Sequence, residues 1–134
     1  MSTRLIPPTS ELTQPFWDAA RDHQLVIQRC DDCAHYLFPP AAHCPQCGSA
    51  NLTWTPVSGR GSVYTYTIAY RPPHPVLKDH CPLAIAVIEL EEGPRMMSNV
   101  IGVDPETLTI DTPVQVTYET IDDSDVVLPV FTRA

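Results

Sequence analysis

Two pairs of cysteines constrain this chain more than any other feature: Cys30-x-x-Cys33, ten intervening residues, then Cys44-x-x-Cys47. Each pair can close a tight turn whose backbone amides point at sulfur. Two such turns facing one another make a tetrahedral site of four sulfurs. Pro45 and Gly48 suit the second turn sterically. The spacing predicts one zinc ion, and a structural one, because four protein sulfurs leave no open position for water or substrate.

Two other readings of the same cysteines stay open. Iron on these ligands would make an electron carrier, and disulfides would require an oxidising compartment. The first fourteen residues are polar and proline-bearing and do not read as a signal peptide. No apolar run reaches the ~18 residues of a membrane span. A cytoplasmic location is therefore expected, where thiols stay reduced and metal is favoured over disulfides. His35 and His43 lie between the pairs and are expected at the surface. Cys81, between His80 and Pro82, reads as a buried or merely free thiol rather than a nucleophile, since neighbours in an extended segment point to opposite sides.

Fifteen prolines against five glycines in 134 residues disfavour long helices and leave short strands and rigid loops. The formal net charge is −8, and four thiolates on one Zn²⁺ would add about two more negative charges. A chain this acidic repels a phosphate backbone unless its cations cluster, and its eight lysines and arginines are scattered.

Along the chain, residues 1–10 read as an extended arm. Thr13-Gln14-Pro15 looks like a helix start with a capping hydroxyl, the helix running through Phe16, Trp17 and Ala20 to about Asp22. Such a helix is too short to stand alone, so its aromatic pair must bury against this chain or a partner. Residues 25–28 form a strand entering the first cysteine pair, 34–43 a small hairpin over the metal, and a further strand carries Leu52 and Trp54. The two glycines of Ser58-Gly59-Arg60-Gly61 mark a tight turn with positive φ. Strands follow at 62–70, 83–90, 95–103, 114–120 and 126–131, with a capped helical turn at Asp104-Pro105-Glu106. Five main strands without a sustained helical period predict a mainly β protein with a closed or nearly closed barrel. The barrel core is expected to be separate from the metal module.

No nucleophile elbow, phosphate loop, dinucleotide fingerprint or zinc-protease motif is present. Glu89, Glu91 and Glu92 read as solvated charges at a hairpin tip, and Asp122, Asp123 and Asp125 as an acidic loop. Tyr64 and Tyr66, at spacing two, are expected on one face of a strand, packing more than binding.

The ordered pieces Pro15-Phe16-Trp17, Leu25 to Cys33, Phe38-Pro39-Pro40, Cys44-Pro45-Gln46-Cys47-Gly48, Ser58-Gly59-Arg60-Gly61 with SVYTYT, Leu90-Glu91-Glu92-Gly93-Pro94-Arg95 and Leu128-Pro129-Val130-Phe131 span nearly the whole chain. On them the chain resembles a family of OB-fold proteins with an N-terminal rubredoxin-like zinc ribbon, once a domain of unknown function, associated with acyl-CoA enzymes. Ala34 departs from the glycine the family often carries after the second cysteine. The resemblance implies an arm and helix at 1–24, a zinc ribbon at 25–56 and an OB barrel at 57–134. It also implies a non-catalytic subunit partnered with a thiolase-superfamily enzyme, such as the lipid-transfer-protein-like aldolases of steroid side-chain degradation, with MaoC-like enoyl-CoA hydratases as related partners. Phe16 and Trp17 are then interface candidates, and Arg60 and Tyr66 candidates for contact with acyl-CoA. A single-stranded nucleic-acid binder is the competing reading of an OB barrel, opposed by the charge; no membrane association is expected.

Overall fold

The computed structural model describes residues 4–134; the first three residues of the expected arm lie outside the described residues. One helix, α1 (Gln14–Arg21), precedes eight strands: β1 (Val26–Cys30), β2 (Tyr36–Leu37), β3 (Leu52–Pro56), β4 (Arg60–Ala69), β5 (Leu83–Leu90), β6 (Arg95–Val100), β7 (Pro113–Thr120) and β8 (Val127–Arg133). The first three strands make a small antiparallel sheet in the order β2-β1-β3. The last five close into a barrel in the order β4-β5-β6-β8-β7, so the chain is mainly β, with a closed five-stranded barrel.

Gly61 sits where the barrel closes. Gly61 pairs with both Leu90 of β5 and Val114 of β7, where the wall folds over itself. A Cβ there would lie 2.3 Å from the Glu89 carbonyl oxygen, so no other residue fits without moving the strand. Of the two glycines expected at positive φ, only Gly59 adopts it, at 75°. A second seam joins β6 to β8. That seam has one parallel register pair, Val100 with Phe131, supported by the Ile101 N–H donating to the Phe131 carbonyl at 2.8 Å. Ser98 Oγ donates to the Pro129 carbonyl at 2.9 Å.

Tyr64 and Tyr66 do not share a face. A bulge between Val63 and Thr65 leaves Tyr64 without a register partner, turning it outward. Tyr66 packs on the core, and its hydroxyl donates to the Leu108 carbonyl at 2.8 Å. The strand expected over 95–103 stops at Val100, because Gly102 takes φ 70° and the chain turns into the helical turn Pro105–Thr107. There the Asp104 side chain accepts from the Glu106 N–H, as the sequence predicts. The short 3₁₀ helix Pro75–His80 has no counterpart in the sequence reading.

α1 forms where expected, yet Thr13 does not cap it with its side chain. Its hydroxyl instead accepts the Ser10 N–H at 3.0 Å, because the Thr13 backbone is already helical and turns the side chain back along the chain. Tertiary contacts hold the helix. Phe16 enters the core, Arg21 reaches Asp125 at 3.2 Å, and beyond the helix the His23 ring stacks on Tyr118 at 4.8 Å. The arm is fixed as well: Arg4 Nε bonds Glu119 at 2.6 Å, with side-chain exposures of 5% and 19%.

The barrel core is not separate from the metal module. Leu25 and Ile27, at the entry to the ribbon, belong to one buried cluster with Phe16 of α1 and with Val63, Ile88, Met96 and Phe131 of the barrel. The reason is geometric: β1 alternates, sending Ile27 into the barrel side while Cys30 ends the strand at the metal. Loss of the ribbon therefore opens the main core.

Candidate metal centre and partner surface

The ribbon builds its site from two copies of one turn. In the first, the Ala34 N–H donates to the Cys30 carbonyl at 2.9 Å and the Cys30 N–H to the His35 carbonyl at 2.8 Å. In the second, the Gly48 N–H donates to the Cys44 carbonyl at 2.8 Å and the Cys44 N–H to the Ser49 carbonyl at 2.8 Å. Both turns close through a left-handed residue, Ala34 at φ 64° and Gly48 at φ 79°. The departure at Ala34 thus leaves the first turn formed but strained, since a Cβ is disfavoured at that φ.

The four sulfurs of Cys30, Cys33, Cys44 and Cys47 all lie within 4.8 Å of one another, with Cys30–Cys47 and Cys33–Cys44 at 3.6 Å. A tetrahedron with Zn–S of about 2.3 Å has edges of about 3.8 Å, so the donor set fits zinc. Cys30 and Cys44 are buried while Cys33 and Cys47 face outward. Asp32 braces the two turns, accepting from Ser49 Oγ and from Asn51 Nδ2. These two bonds hold its carboxyl below the usual range. Burial pushes the Cys30 thiol up, but the amides of Cys33 and Asp32 aimed at its sulfur outweigh this and bring it to about 7. The His35 amide favours the Cys33 thiolate; burial and the three neighbouring sulfurs prevail and raise it to about 12. Without metal the cluster cannot ionise fully, and a bound dication removes that conflict.

Across the ribbon, the Gln28 side chain takes the place of a strand partner, donating to the Ala41 carbonyl at 3.0 Å and accepting its N–H at 2.8 Å. This holds the loop between the cysteine pairs, where only Tyr36 and Leu37 pair with β1. His43 is exposed and His35 half-buried, and neither joins the sulfur cluster.

The aromatic pair of α1 divides its work. Phe16 is 6% exposed and packs against Trp17 at 4.9 Å, edge to face, and against Phe38 at 5.8 Å. Trp17 is half-buried and lines a groove of about 240 Å³ over the β6–β8 seam, with Phe38, Met96, Met97, Leu128 and Pro129. Met97 is 70% exposed, an apolar side chain the sequence reading overlooked. The alternation of a strand through Met96-Met97 was the available signal, since one of two neighbours must face out.

Arg60 and Tyr66 are not brought together. Arg60 is exposed and ion-paired with Glu91 at 3.3 Å, while Tyr66 is committed to the core. The hairpin glutamates are not simply solvated. Glu89 pairs with Arg95 at 3.0 Å, and Glu92 Oε2 accepts the Ser58 N–H at 2.9 Å. Glu92 Oε1 is buried without a hydrogen-bond partner. Cys81 is half-buried, its Sγ 3.7 Å from the Leu77 carbonyl.

Comparison with known proteins places this arrangement. Residues 17–53 match the model for the ChsH2 rubredoxin-like zinc ribbon domain, and residues 54–119 the model for the ChsH2 C-terminal OB-fold domain. The chain belongs to the ChsH2 family. A DUF35 domain-containing scaffold protein of Pyrococcus furiosus is 35% identical over 69% of this chain and 68% of its own length. A solved chain described as Ltp2-ChsH2(DUF35) aldolase superposes with a TM-score of 0.86 at 35% identity, covering 96% of this chain and 98% of that one.

Longer relatives are similar too. A probable enoyl-CoA hydratase alpha subunit of Thermomonospora curvata is 38% identical over 95% of this chain. The 3-oxo-4,17-pregnadiene-20-carboxyl-CoA hydratase alpha subunit of Mycobacterium tuberculosis is 37% identical over 84% of this chain. This chain spans only 39% and 35% of those two proteins. In this ChsH2-family chain the four cysteines are the ligand set of the zinc ribbon, and their sulfur geometry is consistent with one structural zinc. No helix among the described residues is long and apolar enough to cross a membrane.

Proposed function

We propose that this chain is a non-catalytic cytoplasmic scaffold subunit that docks on a thiolase-superfamily enzyme of the lipid-transfer-protein-like type. It supports that enzyme's work on acyl-CoA, in steroid or related lipid side-chain degradation. The observation that carries this reading is the match along almost the full length of both chains to the ChsH2(DUF35) component of an Ltp2-containing aldolase. The scaffold designation of the Pyrococcus relative supports it. The longer relatives are named as CoA-ester hydratase alpha subunits, and from this we infer a second partner, a hydratase of the MaoC-like type.

The docking face we propose is the groove over the β6–β8 seam. Phe16 serves it from beneath by fixing the helix, and Trp17 and Met97 offer apolar surface to a partner, as interface anchors do. Arg60 is the acyl-CoA contact we retain, because its side chain is 59% exposed. Tyr66, with its hydroxyl bonded to Leu108, contributes only through packing. A nucleic-acid role is opposed by the −8 charge. Co-expression with the lipid-transfer-protein-like gene nearest to this one, followed by size exclusion, tests the reading. A stable hetero-oligomer that Met97→Asp disrupts, with zinc content unchanged, is expected. Two species that never co-elute would exclude the scaffold role.

A further inference from the structure

We propose that the cleft between the zinc ribbon and the turn joining β5 to β6 is a binding site for one basic side chain, an arginine or lysine presented by the partner enzyme. This rests on the scaffold reading above. The cleft measures about 290 Å³ and is walled by Tyr36, Phe38, Pro45 and Pro94, with Glu92 among its lining residues. Glu92 uses one carboxylate oxygen on the Ser58 N–H at 2.9 Å. The other, Oε1, is buried with no partner, the one buried carboxylate oxygen so left among the described residues.

A desolvated, unpaired carboxylate oxygen is costly, and the cost is recovered by any donor that reaches it. A cation recovers most, through a charge-assisted bond. The flanking rings of Tyr36 and Phe38 suit a planar guanidinium in particular. The chain's own arginines near the cleft are already engaged, which leaves His35 as the one basic side chain among the cleft's lining residues. Arg60 pairs with Glu91 at 3.3 Å, Arg95 pairs with Glu89 at 3.0 Å and lies over Tyr64, and Arg29 sits over the Tyr36 ring at 5.8 Å. A permanently charged donor must therefore come from another molecule, towards a chain of net charge −8. Phe38 lines both this cleft and the Trp17–Met97 groove, so the two form one continuous face. A partner segment with an apolar residue on Met97 can offer a basic residue to Glu92.

Glu92→Gln tests this, because the amide keeps an acceptor for the Ser58 N–H while removing the charge. Its amide spectrum and zinc content should match the parent's. Affinity for the partner, measured by calorimetry at low and high salt, should fall at least about tenfold, the loss of one charge-assisted hydrogen bond, with a smaller salt dependence. If the parent assembles and Glu92→Gln assembles equally well, the cleft is not a cation site, while the scaffold reading stands. If the parent does not assemble, the scaffold reading fails, and titration with N-acetyl-arginine amide decides the cleft alone. Saturable shifts at Tyr36 and Gly93 that Glu92→Gln abolishes would uphold it; shifts that are absent or unchanged in the variant would overturn it.

Discussion

Replacing Ala34 by glycine should stabilise the protein, although it removes a methyl group and adds no contact. Ala34 sits at φ 64°, where Gly48 of the matching turn sits at φ 79°. A left-handed conformation costs a residue with a Cβ about 1–2 kcal/mol. Glycine's greater freedom in the unfolded chain returns roughly 0.4–1 kcal/mol of that. The net gain is about 0.5–1 kcal/mol, which for a chain of this length shifts Tm upward by about 2–4 °C. Gly48→Ala is the mirror experiment. A Cβ there meets nothing within 4 Å, so backbone strain is its whole effect, and Tm should fall by a similar amount. Calorimetry of both variants at one fixed excess of zinc keeps metal linkage constant. A lower Tm for Ala34→Gly, or an unchanged one for Gly48→Ala, would refute the claim that the two turns are equivalent and that the first is strained.

Elemental analysis should find about one zinc per chain, and an iron-containing red protein would contradict the site. Cys44→Ser should lower Tm by more than about 10 °C, because ribbon and barrel share Leu25 and Ile27 in one core; a barrel transition left unmoved would show separate cores. In the metal-free protein, ultraviolet thiolate absorbance should rise by one cysteine as Cys30 ionises near pH about 7, while Cys33 holds its proton to about 12. Cys30, depressed, stabilises the metal-free fold above its unfolded pKa and loses that contribution as pH falls through about 7, whereas Cys33, raised, contributes below its unfolded pKa and loses that contribution progressively as pH rises from there through about 12. Zinc needs all four thiolates, so its release to a chromogenic chelator should accelerate as pH falls, and release independent of pH would count against the site. Anisotropy titrations with single-stranded DNA and RNA should show no binding tighter than about millimolar at physiological salt; micromolar, salt-sensitive binding would restore the nucleic-acid reading.

The metal site was legible because cysteine spacing is a local signal: both turns close within five residues. The barrel strands were legible for the same reason, from runs of β-branched residues bounded by prolines and glycines. What the sequence did not disclose was long-range. The bulge at Tyr64 is set by pairing with Val87 and Ile88, which no window around Tyr64 contains. Glu92 reads as one more acid in an exposed turn, and only the Ser58 amide, 34 residues away, turns it inward. Arg4, in an arm that looks unstructured, is held by Glu119, 115 residues later. Thr13 misled in the opposite direction: its residue type suits a cap, but its backbone was already helical.

The central claim is tested most directly by turnover of an acyl-CoA measured with three samples: the lipid-transfer-protein-like enzyme alone, this chain alone, and the two together. The scaffold account predicts turnover only, or many-fold faster, in the mixture, with this chain alone inert. Full activity of the enzyme without this chain would contradict it, and conversion of the acyl-CoA by this chain alone would show that it carries a catalytic site of its own.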